Sequence, residues 1–294
     1  MGPRRSWDRV SMALIRWCSL SNHVTHPTPY PDINVVLHVL LSGVQTILGN
    51  HFIGMYVHGS LASGDFDPQR SGDIDFVVVT ADELPDEMLP ALEAMHARIT
   101  ASGLKWATRL EGDYIPQPAL RRYDPFHARY PHLGVDGHFD VEQHDSDGVI
   151  QRYTIREHGV VVAGPAPQTL IDPVQPNDLR RAALAILREW WSPQLHDPAR
   201  LHSSEYQAYA ILTMCRALYT LQHGIVVSKP VAARWAQEAL GEPWAALIER
   251  ALVWRHGAPL DNLNETLDFI RYTLERGQQF EIPTSPGPAA DACC

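Results

Sequence analysis

The chain has 294 residues, enough for one large or two ordinary domains, each with its own core. With 45% hydrophobic and 20% charged residues it reads as an ordinary globular protein, and a net charge of −10 argues against extended contact with nucleic acid, which is bound through Lys and Arg. No apolar run is expected to reach the ~20 residues of a membrane helix, so neither a membrane nor a nucleic acid is an expected partner.

An acidic chain suits a small cationic partner. Residues 1–30 read as an N-terminal extension, because the short apolar stretch at Met12–Ile15 is interrupted by Arg16 and Trp17 with no small-residue cleavage site after it. Cys18, Cys215, Cys293 and Cys294 follow no metal-ligand or disulfide spacing, so a reducing cytoplasm is the expected location.

Pro27–Pro31 forms a proline-rich lead. Asp32 is expected to cap a helix over Ile33–Leu48, where Val36, Leu40, Val44 and Leu48 recur on one face, and Gly49-Asn50 closes it. A strand follows at Phe52–His58, then the turn Gly59-Ser60, a polar loop to Gly72, and a second strand at Asp73–Thr80. Strand side chains alternate, so Asp73 and Asp75 share a face. Two carboxylates aimed at one point repel unless they share a cation, and Mg²⁺ takes oxygen ligands completed by substrate phosphates. Gly59, without a Cβ, lets backbone N–H groups approach a phosphate, and Ser60 adds a hydroxyl.

A helix is expected over Leu84–Thr100 and a third strand over Lys105–Tyr114, with Glu111 and Asp113 on one face. Pro116–Pro131 reads as a long loop whose Arg121 and Arg122 could reach phosphate. Gly137–Gln143 reads as a short strand with Asp140 and Glu142 as an alternative acidic pair. The spacings of His127, His132, His138 and His144 match neither a helical pair nor a finger, so these residues read as scatter rather than a metal site. A helix at Gly148–Glu157 and the run Val160–Val162 close this half.

Prolines at Asp172-Pro173 to Pro176 mark a boundary, after which the strand signal stops. Helices are expected at Asp178–Trp190, Glu205–Gln222, Ser228–Leu240, Trp244–Arg255 and Asn264–Gly277. The proline-rich tail has too few apolar residues to bury and should be disordered.

The pattern Tyr56-Val57-His58-Gly59-Ser60 followed by Asp73-Ile74-Asp75 resembles the signature of the nucleotidyltransferase superfamily. The run Gly54–Ala62 with Gly64-Asp65-Phe66 is similar to the aminoglycoside (spectinomycin/streptomycin) adenylyltransferase branch. So are Arg156-Glu157-His158-Gly159, Ala163-Gly164-Pro165, the helix Leu212–Tyr219 and the phrase Ser228–Ala236. The resemblance implies an α+β fold: a nucleotidyltransferase domain at 31–172 with a mixed sheet flanked by helices, a helical bundle at 173–278, and a tail at 279–294.

The resemblance further implies Mg²⁺-dependent transfer of AMP from ATP to a hydroxyl of a small, cationic acceptor, foremost an aminoglycoside or aminocyclitol antibiotic; the sequence does not fix the oligomeric state, and a monomer is favoured. Asp73 and Asp75 would hold two metal ions and Glu111 would be the general base. Gly59 and Ser60 would hold the triphosphate, and Arg216 and Lys229 would contact its phosphates. Asp113, on the same strand face, competes with Glu111. Trp254, near the position of a family aromatic, reads as a core residue.

Two departures bear on the acceptor. Gly72 replaces the serine that often precedes the first aspartate, and the segment between Trp190-Trp191 and Leu212 lacks the acidic phrase of the streptomycin and spectinomycin enzymes. Transfer to another metabolite or to a protein hydroxyl therefore stays open, as does a toxin–antitoxin enzyme using Arg216 and His223.

Overall fold

The computed structural model describes residues 26–68 and 72–283. Most of the N-terminal extension, the tip of the polar loop and most of the tail, with Cys18, Cys293 and Cys294, lie outside the described residues.

Helix α1 (Pro31–Leu48) begins with a proline, whose fixed φ and missing N–H suit the first helical position. Tyr30 precedes it in extended conformation, and Asp32 does not cap it. Asp32 lies in the first turn and pairs with Lys105 at 3.1 Å. With the following 3₁₀ turn, Pro31–His51 is long and apolar enough to cross a membrane by length and composition, which corrects the expectation that no such stretch exists. The same apolar residues serve a core here. Ile33, Val36, Leu37, Leu40, Val44 and Leu48 are at most 1% exposed and pack with Met55, Val57, Phe76 and Val78 of the sheet. Each such side chain contributes ~1.5–3 kcal/mol of burial.

The sheet comprises β1 (Phe52–Val57), β2 (Ile74–Thr80), β3 (Leu110–Pro116), β4 (Arg129–Leu133), β5 (Phe139–Gln143) and β6 (Val160–Ala163), in the order β5-β4-β3-β2-β1-β6. Among the described residues only β2 and β3 pair in parallel. The short helix α2 (Gly59–Ser63) follows β1, and α3 (Leu89–Thr100) makes the crossover from β2 toward β3. Period-two alternation sends Ile74, Phe76 and Val78 to the α1 side and Val77 and Val79 to the other face. That second face is covered beyond the site by α4 (Gln117–Arg121), α5 (Asp147–His158) and α6 (Pro167–Leu170), through Leu120, Ile155 and Leu170.

Two expectations shift. Strand β3 starts at Leu110 rather than Lys105, because Trp106 takes a left-handed φ of 75° and a 3₁₀ turn occupies Ala107–Arg109. The expected loop over Pro116–Pro131 contains α4 and the start of β4.

After β6 and α6 the regular elements among the described residues are helical. Helix α7 (Pro176–Ile186) runs on through a π turn (Leu187–Trp191), and α8 (Ser204–His223), α9 (Lys229–Leu240), α10 (Trp244–Val253) and α11 (Leu263–Gln278) follow. They bury a separate apolar cluster around Ile211, Met214, Cys215, Ala232, Ile248 and Phe269. Helix α8 is its axis, touching α7, α9, α10 and α11. Ser228 caps α9 by accepting a hydrogen bond from Val231 N at 3.5 Å. Trp254 lies in this core, its indole N–H donating to Ala258 O at 2.8 Å. The whole is α+β, a mixed sheet flanked by helices and followed by a helical bundle.

Candidate active site

Parallel pairing of β2 with β3 sets Asp75 directly beside Glu111. Asp73 stands two residues before Asp75, so it faces the same side, and Asp113 stands two residues beyond Glu111. Asp75, Glu111 and Asp113 thus share one face of two adjacent strands, and Asp73 stands immediately before the first of them, β2 starting at Ile74 rather than at Asp73.

Gly59 adjoins them at the end of β1. Its φ is +62°, and a Cβ there would lie 1.9 Å from Asp75 Oδ2. The carboxylate occupies the space a side chain would need, and the two strands are tied at this point by His58 N donating to Asp75 O at 3.0 Å. Ser60 follows, half-buried, in the first turn of α2.

Crowding and burial raise the pKa of three of these acids. Asp75 is pushed up to about 7 by burial and by Asp73, and Glu111 to about 7 by burial, Asp75 and Asp73. Asp73 is raised by burial, against the pull of Arg109, whose guanidinium stands 3.5 Å away. Asp73 Oδ1 is buried yet accepts no hydrogen bond among the described residues. Oxygen donors that repel one another, one of them buried without a hydrogen bond and met only by the Arg109 guanidinium at 3.5 Å, fit a hard divalent cation such as Mg²⁺. Such an ion would draw all three back to the ionised form.

Cations come from the helical half. Lys229, at the start of α9, and Arg216, on α8, both lower the pKa of Asp75. Lys229 is itself lowered to about 7 by burial and by Arg216, and its ammonium lies 4.1 Å from the Tyr209 ring centroid. Glu205, at the start of α8, also faces the carboxylates, since its charge raises the pKa of Asp73. Arg109, Glu205 and Tyr209 escaped sequence reasoning. Arg109 sits one residue before β3 and opposite the start of β2, a proximity that the strand pairing creates.

Asp113 has different company from Glu111. It is 3% exposed, lies 2.7 Å from His132 Nδ1 and accepts a hydrogen bond from Gln151. Burial opposes its ionisation, but the His132 hydrogen bond and the His144 and His132 charges hold its carboxyl below the usual range. Glu111 is thus the member of the pair beside Asp75, and Asp113 is engaged elsewhere.

Other expected contacts lie apart. Arg121 and Arg122 are both bound by Asp172, at 3.0 and 2.6 Å. Asp140 and Glu142 are exposed on the edge strand β5. His223 packs on Tyr219 and Trp235, with ring centroids 4.3 and 5.3 Å away. His127 and His138 are exposed, whereas His132 and His144 converge on Asp113, which corrects their reading as scatter. Gly72 also has a local cause: a Cβ there would lie 2.3 Å from the ring of Phe66, which is packed edge-on against Tyr30 and Trp106.

The profile of the aminoglycoside adenylyltransferase C-terminal domain matches residues 169–276. An aminoglycoside (3'')(9) adenylyltransferase of Escherichia coli is 26% identical over 255 residues, covering 82% of this chain and 93% of the relative. One from Klebsiella pneumoniae is 28% identical over 225 residues, covering 72% and 82%. The fold is similar to that of a spectinomycin adenyltransferase from Enterococcus faecialis, solved with ATP and spectinomycin. The TM-score is 0.65 at 20% identity, over 82% of this chain and 98% of the other.

Proposed function

We propose that the chain, whose helical half matches the aminoglycoside adenylyltransferase C-terminal domain and which is similar along most of its length to aminoglycoside (3'')(9) adenylyltransferases, transfers AMP from ATP to a hydroxyl of an aminoglycoside or aminocyclitol antibiotic. The observation that carries this reading is the β2–β3 register, which sets Asp75 beside Glu111 with Asp73 on the same face.

Asp73 and Asp75 would hold Mg²⁺. When bound, the metal neutralises phosphate charge and polarises the phosphoryl oxygens of ATP. Gly59 leaves room for backbone N–H groups to approach the triphosphate, and Ser60 adds its hydroxyl. Glu111 takes the proton of the acceptor hydroxyl, a contribution of about 10²–10⁴-fold. The hydroxyl oxygen forms a bond to the α-phosphorus, the bond from that phosphorus to the bridging oxygen breaks, and pyrophosphate leaves. Arg216 and Lys229, opposite the carboxylates, neutralise the charge developing on it.

The acceptor is read from chemistry of the opposite sign. Glu205 stands on the helical side, close enough for its charge to raise the pKa of Asp73, and a carboxylate there suits the ammonium groups of an aminocyclitol. An overall charge of −10 favours the approach of such a cation. The enzyme would work as a monomer in the cytoplasm, where ATP is supplied.

A thermal-shift panel with ATP, Mg²⁺, spectinomycin and streptomycin tests the acceptor class. Stabilisation by an aminocyclitol beyond that given by ATP and Mg²⁺ is the expected result. Labelled AMP passing from ATP only into protein of a cell extract would overturn the small-molecule reading.

A further inference from the structure

The face that carries Glu111 holds a second set of donors farther along the sheet. Asp113 lies a ~7 Å step beyond Glu111 on β3. It is paired in register with His132 of β4. His144 follows β5 immediately, and its ring turns back onto the same carboxylate. We infer that Asp113, His132 and His144 bind one transition-metal ion of the zinc class through two imidazole nitrogens and one carboxylate oxygen, leaving a fourth position for water.

The distances support this ligand set. One ligand atom from each residue lies within 4.8 Å of the others. His144 Nε2 stands 3.5 Å from Asp113 Oδ1 and His132 Nδ1 stands 2.7 Å from the same oxygen. Ligand atoms ~2.0–2.1 Å from a tetrahedral zinc are ~3.4 Å from each other. The His144–Asp113 pair already has that separation. The His132–Asp113 pair is at hydrogen-bond length and opens by ~0.7 Å as its shared proton leaves to solvent.

One ligand atom is otherwise uncompensated for its burial. His144 Nε2 is buried with no hydrogen-bond partner among the described residues, a cost that a bond to metal would remove. Its ring is oriented by neighbours: it stacks on Tyr130 at 4.0 Å, and the His144 backbone is held by Ala128 O and by the Tyr123 hydroxyl. Gln151 donates to Asp113 Oδ2, which leaves Oδ1 to the metal and fixes the carboxylate as an outer-shell partner does.

Donor chemistry separates this site from the oxygen-only set at Asp73 and Asp75. Imidazole suits zinc, cobalt, nickel and copper, whereas Mg²⁺ takes oxygen. A metal held here would clamp β4 and the end of β5 onto β3, the strand that presents Glu111.

The test uses the full chain, stripped by chelator and then titrated with Co²⁺ or Zn²⁺ in excess Mg²⁺. Calorimetry and the visible spectrum of Co²⁺ are the readouts. One saturable equivalent is expected in wild type and in Asp73→Asn, with the intense Co²⁺ bands of a low-coordinate site. His144→Ala and, separately, His132→Gln should each lose that equivalent while melting cooperatively without metal. Gln151→Ala should weaken it ~10–100-fold. The inference is overturned if wild type binds no saturable equivalent, if folded His144→Ala and His132→Gln bind as wild type does, or if Asp73→Asn abolishes binding. The last result would assign the ion to the other site.

Discussion

Replacing Gly59 by alanine isolates the contact on which the site depends. The new Cβ would lie 1.9 Å from Asp75 Oδ2 and 2.8 Å from its Cγ, so the carboxylate must move about 1.5 Å to reach ordinary contact. A left-handed φ of +62° adds ~1–2 kcal/mol of backbone strain. For a chain of this size that strain lowers Tm by roughly 2–8 °C. A displacement near 1 Å in a reacting constellation costs about 10²-fold in rate, so kcat should fall by at least that factor. Gly64 supplies the control: its φ is +79°, and nothing lies within 4 Å of the position its Cβ would take. Gly64→Ala should lose similar stability and retain kcat. Pyrophosphate release measured beside thermal unfolding by circular dichroism distinguishes the two effects. Wild-type kcat in Gly59→Ala, or an equal loss in Gly64→Ala, would refute the argument that this glycine makes room for Asp75.

Glu111→Gln should keep its place beside Asp75 and lower kcat by about 10²–10⁴-fold with little change in Tm, as read from initial rates and melting curves. Lys229→Ala removes a cation facing Asp75 and should raise KM for ATP and lower kcat together, while leaving the Ser228 cap of α9 intact by far-ultraviolet circular dichroism. Gly72→Ser restores the residue that often precedes the first aspartate in related enzymes. Because its Cβ would meet Phe66 at 2.3 Å, it should cost about 1–3 kcal/mol in denaturant unfolding rather than improve nucleotide binding.

Local patterns in the sequence carried the strand pair and its aspartates, since β-branched runs and period-two alternation depend only on near neighbours. The crossover that makes β2 and β3 parallel set Glu111 against Asp75, and no spacing rule in one strand contains that register. Glu111 and Asp113 share a face, so the sequence left them as rivals. They are told apart by His132 and Gln151, which arrive from β4 and α5. Strand β4 itself was hidden because Arg129-Tyr130-Pro131-His132-Leu133 combines a proline with charged and ring side chains, a poor strand signal. The histidine cluster escaped because its members come from β3, β4 and the residue after β5 rather than from one helix or one finger loop. Asp32 looked like a cap by position, yet Pro31 already begins the helix and moves Asp32 into its first turn.

Transfer of α-labelled AMP from ATP to spectinomycin or streptomycin, measured for wild type and Asp73→Asn with Mg²⁺ and after chelation, tests the central claim most directly. The account predicts labelled antibiotic with release of pyrophosphate in wild type, and none with Asp73→Asn or without Mg²⁺, while the variant retains its cooperative melt. Labelled antibiotic at the wild-type rate from Asp73→Asn would contradict it.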